Sequence, residues 1–385
     1  MIAPKLRFKA DDGNDFPELE AKSLFDICEY RNKQSVGKNY VGTENMKQNF
    51  SGLESLDEET EMKGVCYCKG DTLMSNIRPY LRKTWKADRE GVCSTDVLVF
   101  HPIDVASEYL HYLIASDKFI SYVMTGAKGV KMPRGDKEHM MKFSIMVPSL
   151  PEQQKIADFL STIDTIIEKQ RAMVSAWEER KKGVMQKLFS QEVRFKADDG
   201  SDFPDWEEKK LGDIGTVKMC KRVLKEQTSE SGDVPFYKIG TFGGIPDAFI
   251  SRELYEELKT KYSFPRKGNI LLSAAGTIGR TVIYDGEDAF FQDSNIVWLD
   301  NDSSVLDKFL LQFYNQTSWD NIEGGTIKRL YNGLFLSKII PLPSLPEQQK
   351  IADCLSALDA VIEKQKETLE KWQELKKGLL QQMFV

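Results

Sequence analysis

Two long segments of the chain carry apolar residues at alternating steps of four and three. The first runs Ile156, Leu160, Ile163, Ile167, Gln170, Val174, Trp177, Lys181, Val184, Leu188. The second runs Ile351, Leu355, Leu358, Ile362, Gln365, Leu369, Trp372, Lys376, Leu379, Met383. Eight of the ten positions are apolar in each, and the polar exceptions, Gln and Lys, fall at matching places. That spacing is a heptad seam, a stripe that stays dry only against a partner helix. Pro151 and Pro346, each followed by a glutamate, suit a first helical turn. The pattern predicts helices over 148–192 and 343–385, roughly 55–60 Å long at 1.5 Å per residue. The other reading is an amphipathic helix lying on its own domain, but such lengths exceed one small domain.

Between and before these segments the pattern shortens. Val65-Cys66-Tyr67-Cys68, Asp96 to Phe100, Asn269 to Leu272 and Ile296 to Leu299 are β-prone runs, with turn signals at Gly70-Asp71, Gly91, Gly268-Asn269 and Asp285-Gly286. Helical stretches are expected near 106–124 and 304–320. The organisation is a domain at 1–147, a helix at 148–192, a domain at 193–342 and a helix at 343–385. Connectivity sets the direction of the helices. A domain of about 140 residues has a radius of gyration of only ~14–15 Å and cannot stretch along a parallel pair. The expected fold class is therefore α+β: two mixed α/β domains separated by two long antiparallel coiled-coil helices, in a pseudo-twofold tandem repeat.

The repeat is explicit. Arg7 to Pro17 recurs as Arg194 to Pro204, with ten of eleven positions identical. Pro148 to Asp158 recurs unchanged as Pro343 to Asp353. Extended to Ser190 and Val385, the second alignment holds 25 identities in 43 positions. The regions 18–147 and 205–342 share only echoes, such as Gly70 to Ser75 with Gly268 to Ser273. One fold is used twice with two different surfaces.

Composition narrows the chemistry. Of 385 residues 41% are hydrophobic and 29% charged, which excludes a disordered chain. No apolar run reaches membrane-spanning length, and residues 1–7 lack the apolar core of a signal peptide, so a cytoplasmic protein is expected. The six cysteines form no C-x-x-C pair and there are three histidines, so neither a metal site nor a histidine-driven centre is expected. A G-x-x-x-x-G-K-[ST] phosphate loop, an Asn/Asp-Pro-Pro-Tyr/Phe segment and any Pro-Pro are absent, so no ATP site or adenine-methylating site can be placed. His139 and Asp136 lack a nucleophile as partner. Glu54 to Glu61, with five acidic residues in eight, reads as a solvated loop.

Although the net charge is −6, basic residues cluster. Arg78 to Arg89 has five positive charges with Tyr80 and Trp85 between them; Gly126 to Lys137 is a glycine-punctuated loop with Lys128, Lys131 and Arg134. Lys218 to Lys225 holds four positive charges, and Gly324 to Gly333 includes Lys328, Arg329 and Asn332. A single such cluster is more often a solvated face. Two per repeat suit duplex DNA, with lysine and backbone N–H on phosphates and arginine or asparagine on base edges. The candidate DNA contacts are Ser75, Asn76, Arg78, Tyr80, Arg82, Lys83, Lys128, Lys131 and Arg134 in the first half. In the second they are Lys218, Lys221, Arg222, Thr277, Arg280, Lys328, Arg329 and Asn332.

These residues carry a family resemblance. Pro148 to Ala157 and the copy at 343–352 resemble the "P-L-P-x-L-x-E-Q-x-x-I-A" start of the spacer helix in the specificity subunit of type I restriction–modification systems. Phe203 to Ile214 is similar to the usual opening of a target-recognition domain there. The first copy departs from it, with Glu18-Leu19 for Asp205-Trp206 and Phe25 for Gly212. The resemblance covers essentially the whole chain. It implies target-recognition domains at 1–147 and 193–342, each reading half of a bipartite, asymmetric DNA sequence, with spacer helices between them. It implies two methyltransferase partners that bind S-adenosylmethionine and methylate adenine N6, and two motor-nuclease subunits, using ATP and Mg, that can join. The chain itself would hold no catalytic residue, cofactor or metal. A non-enzymatic interaction scaffold, or a methyltransferase in its own right, are the alternatives.

Overall fold

The computed structural model describes residues 4–56, 58–319 and 329–384. Two long helices, Leu150–Phe189 and Leu345–Met383, occupy the heptad segments; here they are the central and terminal helix. The chain divides into two compact units. The first comprises residues 1–173 and 365–385, the second residues 174–364, so each unit holds one mixed α/β globule and a part of both helices.

Within each unit the helix parts run antiparallel. In the first, Asp164 pairs with Lys376, and Gln170 meets Gln365 further along. In the second, Lys181 pairs with Asp359, while Met185 and Leu188 share a core with Ile351 and Leu355. The seam residues Ile156, Leu160, Ile163, Ile167, Val174, Ile351, Leu355 and Ile362 are buried; Trp177, Leu358, Leu369 and Trp372 are half-buried. The polar seam positions are used in pairs. Gln170 Nε2 donates to Gln365 Oε1 at 2.6 Å. Each seam lysine crosses to the opposite helix's aspartate, which also accepts from its own globule: Tyr112 Oη donates to Asp164 at 2.8 Å and Gln312 Nε2 to Asp359 at 3.3 Å.

The globules share a four-stranded antiparallel sheet. In the first unit its order is Cys28–Arg31, Val97–Pro102, Thr72–Ser75, Thr84–Lys86. In the second it is Gly215–Lys218, Ile296–Asn301, Ile270–Ser273, Thr281–Ile283. The central strands are apolar on both faces, as burial from two sides requires. The three-stranded sheets beside them differ. Gln34–Gly37, Met62–Tyr67 and Gly91–Cys93 are all antiparallel, whereas Val234–Tyr237 pairs antiparallel with Phe249–Ile250 and parallel with Phe290–Phe291. A further two-stranded ladder leads into each long helix: Glu20–Ser23 with Ser144–Val147, and Glu207–Lys210 with Ile339–Leu342.

The two repeated sequence blocks meet at one joint per unit. Arg7 grips the buried Glu152 of the central helix through Nε–Oε1 at 3.1 Å and Nη2–Oε2 at 2.6 Å. Arg194 grips the buried Glu347 the same way, at 3.1 and 2.8 Å. Beside each glutamate a buried glutamine clamps two loops. Gln153 donates to Pro148 O and accepts from Ala106 N; Gln348 donates to Pro343 O and accepts from Leu306 N. Lys155 and Lys350 then reach Asp11 and Asp198.

The helical expectation near 106–124 holds, and one turn expectation is corrected. The stretch near 106–124 is two helices, Ser107–Ile114 and Asp117–Thr125, because the Ser116 side chain accepts from Phe119 N and starts a new helix there. Gly91 lies in a strand; the Tyr67 hydroxyl packs over it, and a Cβ there would come within 2.5 Å of that oxygen. Among the described residues no helix is long and apolar enough to cross a membrane.

Candidate nucleic-acid interface

The shared sheet places the same two segments together in each unit. In the first, the loop after Thr72–Ser75 bonds to the 128–134 hairpin: Ile77 pairs with Arg134, and Arg78 N donates to Pro133 O at 2.8 Å. The hairpin closes on itself, with Lys128 N donating to Arg134 O at 2.8 Å and Arg134 N to Lys128 O at 2.9 Å. In the second unit, the loop after Ile270–Ser273 takes the same partner: Ala275 pairs with Arg329, and Leu330 N donates to Ala274 O at 2.8 Å. Arg134 and Arg329 are thus counterparts, each stitched to the residue two past a strand-ending serine.

Their head groups rest on matching posts. Arg134 pairs with Asp96 at 3.0 Å, and Arg329 Nη2 donates to Ser294 O at 2.8 Å. Arg222 joins the second cluster through Asp293 at 2.8 Å. The posts, Ser94-Thr95-Asp96 and Asp293-Ser294-Asn295, were not among the sequence candidates. Their signal is a short polar triplet just before the apolar strands that begin at Val97 and Ile296.

Much of the basic charge is answered locally. Arg82 pairs with Asp117 at 2.6 Å, Lys83 Nζ donates to Thr43 O at 2.7 Å, Lys86 pairs with Glu108, and Arg89 with Glu58. Lys128 pairs with Asp136 at 2.6 Å, and with His139 N also donating to that carboxylate it is held down to about 2. Arg280 donates to Phe242 O at 2.7 Å, and Lys221 sits 4.7 Å over the Tyr262 ring. Arg78, Tyr80, Lys131, Thr277 and Asn332 are exposed, and Lys218 is half-buried.

Two candidates are corrected. Ser75 and Asn76 are only 2% and 7% exposed, too enclosed for a duplex to touch. Ser75 Oγ donates to Ile77 O at 3.1 Å and shapes the loop, as Ser273 Oγ does toward Thr277 O at 2.5 Å. Lys328 lies outside the described residues.

The first unit also has a cleft of about 610 Å³, lined by residues that include Arg82, Lys86, Glu108, His111, Asp164 and Lys376. Its charges are paired across the walls. His111 beside them is pushed down to about 3, by burial first and then by Lys376 and Lys86. Burial holds the thiols of Cys28, Cys93 and Cys220 up at about 12, which leaves them poor nucleophiles. Among the described residues no group of three or more His, Cys, Asp or Glu could hold a metal ion.

Comparison with known proteins places this arrangement. The family model for the type I restriction modification DNA specificity domain matches residues 17–174 and again 204–371. A putative type I restriction enzyme specificity subunit of Haemophilus influenzae is 59% identical over 152 residues, spanning 39% of this chain and 40%, less than half, of that protein. The putative MjaX specificity subunit of Methanocaldococcus jannaschii is 26% identical over 94% of this chain and 93% of its own length. The crystal structure of a type I S subunit from M. genitalium shares the fold at a TM-score of 0.56, with 15% identity over 100% of this chain and 99% of that one. With two matches that together span most of its length, the chain belongs to the type I restriction modification DNA specificity family.

Proposed function

We propose that the chain is the DNA-recognition subunit of a type I restriction–modification complex, and that each globule reads one half of a bipartite, asymmetric target. One observation carries this reading. Both units build the same loop-and-arginine platform on the same sheet, Arg134 on one and Arg329 on the other, while the residues around it differ. A shared platform with unlike side chains suits two unlike half-sites, with Lys131 and the lysines of the second unit on phosphates. In this reading the long helices set the gap between half-sites and dock two methyltransferase subunits, and two motor-nuclease subunits can join.

The chemistry belongs to those partners. The methyltransferase subunits would bind S-adenosylmethionine and methylate adenine N6, which requires flipping the base from the duplex. ATP and Mg would act on the motor-nuclease subunit. This chain would then be no enzyme, would hold no cofactor, and would work in the cytoplasm where the DNA is.

Selection of sites from a random duplex library by the complex with its methyltransferase subunits tests the proposal. Two enriched half-sites at a fixed gap are expected, and deleting one heptad from both helices should change the gap and leave the half-sites alone. Salt-sensitive binding with no enriched sequence would leave only a scaffold.

A further inference from the structure

The loop between Thr72–Ser75 and Thr84–Lys86 needs a left-handed backbone at two places, and arginine fills both. Arg78 has φ +50° and Arg82 φ +55°. The counterpart loop between Ile270–Ser273 and Thr281–Ile283, one residue shorter, also has two positive-φ positions and uses glycine at both, Gly276 at φ +64° and Gly279 at φ +85°. The positions correspond. Arg78 and Gly276 each lie three residues past the strand-ending serine. Arg82 and Gly279 each precede the residue whose carbonyl that serine's N–H reaches, Lys83 at 3.0 Å and Arg280 at 2.9 Å. The second unit therefore meets positive φ with glycine, and the first meets it with arginine. A Cβ at positive φ crowds the following carbonyl, and arginine has no short polar side chain to offset that.

Arg82 has a local reason to be arginine: its guanidinium meets Asp117 at 2.6 Å, at the start of Asp117–Thr125. Arg78 has none. Its backbone is fully engaged, N to Pro133 O at 2.8 Å and O from Leu81 N at 2.9 Å, so its position is fixed. Its side chain is exposed, and among the described residues its guanidinium has no hydrogen bond or ion pair. The exposed Tyr80 lies two residues on, and the Arg78 backbone is bonded to the basic hairpin that carries Lys128, Lys131 and Arg134. A fixed backbone, a free fork of donors and a retained strain together suit a residue that reads DNA. We infer that Arg78 is a specificity-determining residue of the first unit, whose guanidinium enters a groove and reads a base edge, guanine O6 and N7 being the matching acceptor pair. Residues under backbone strain gather where function holds them. This inference rests on the proposed DNA-recognition role and sharpens it to one residue.

The test compares Arg78→Gly with Arg78→Ala in the full chain bound to its methyltransferase subunits. Glycine relieves the backbone and removes the guanidinium; alanine removes only the guanidinium. The glycine variant should melt higher than the alanine variant. Both should bind the wild-type-selected duplex about 10- to 100-fold more weakly. In selection from a random-centre duplex library, both should lose preference at one base pair of one half-site and keep the other half-site intact. Unchanged preference at every position in Arg78→Gly would overturn the inference. So would an equal loss on all duplexes with a salt slope flatter by about one, which marks a phosphate contact. Equal melting of the two variants would overturn the strain argument. A wild-type complex that enriches no sequence would bring down the functional proposal, and this inference with it.

Discussion

Replacing Arg7 by methionine isolates the joint between the repeated lead-in and the repeated helix start. The change leaves Glu152, 1% exposed, without the guanidinium that meets both its oxygens. Removing one partner of a buried ion pair costs about 3–5 kcal/mol. Two features lower that figure here. Arg7 is 31% exposed, so water can replace part of it, and Glu152 lies in the first turn of the central helix, where the helix dipole returns up to ~1 kcal/mol. A net cost of about 2–3 kcal/mol follows. For a unit of this size, at roughly 2–4 °C per kcal/mol, that is a fall of about 5–10 °C in Tm. The second unit supplies the control. Glu347 also accepts from Trp206 Nε1 at 2.9 Å, where the first copy has Leu19, so Arg194→Met should cost about 1 kcal/mol less. Calorimetry fitted with separate transitions for the two units reads both variants. The double variant Arg7→Met with Glu152→Met should recover most of the loss, because an apolar pair replaces a buried ion pair at little cost. Arg7→Met melting within about 1 °C of wild type, or costs that simply add in the double variant, would refute the assignment.

Three further outcomes are expected. Gln170→Leu should destabilise the first unit by about 1–2 kcal/mol, since Gln365 loses the donor at 2.6 Å, and adding Gln365→Leu should restore or exceed wild-type melting. Leu355→Ala, at a fully buried seam position that shares a core with Met185, should cost about 2–5 kcal/mol in urea unfolding. His111 stays neutral in the fold while the unfolded chain takes up its proton below about pH 6.5, so its contribution is complete above that pH. It should fade as the pH falls toward 3, at about 1.4 kcal/mol per unit, and urea midpoints between pH 7 and 5 should be flatter in His111→Leu.

The helices were legible because a heptad is a local pattern and occurs twice. Even the polar seam positions announced themselves by matching, although their partners Asp164 and Asp359 did not, since nothing in spacing says which aspartate lies opposite. Both halves of the joint were visible as repeated words, yet Arg7 and Glu152 stand 145 residues apart and their contact is a property of the fold. Residue type located the basic loops but not their exposure. Ser75 and Asn76 read as recognition residues and are buried, because the enclosure of the strand extends two residues past its apolar pair Leu73-Met74. Charge counting also overstated the 78–89 cluster, where Arg82, Lys86 and Arg89 meet Asp117, Glu108 and Glu58. The left-handed backbone at Arg78 could not be foreseen, since arginine is not a residue that announces a turn.

The paired joints bear on how such a chain can change over time. Each word of the repeated text, the lead-in arginine, the helix-start glutamate and the clamping glutamine, is spent on fastening a globule to its helix. The segments in between add fastenings of their own through unlike residues, Tyr112 to Asp164 in one unit and Gln312 to Asp359 in the other. Genetic exchange with breakpoints inside the two near-identical stretches would deliver a foreign globule with the arginine, glutamate and glutamine joint already in place, leaving only the unlike contacts to be refitted.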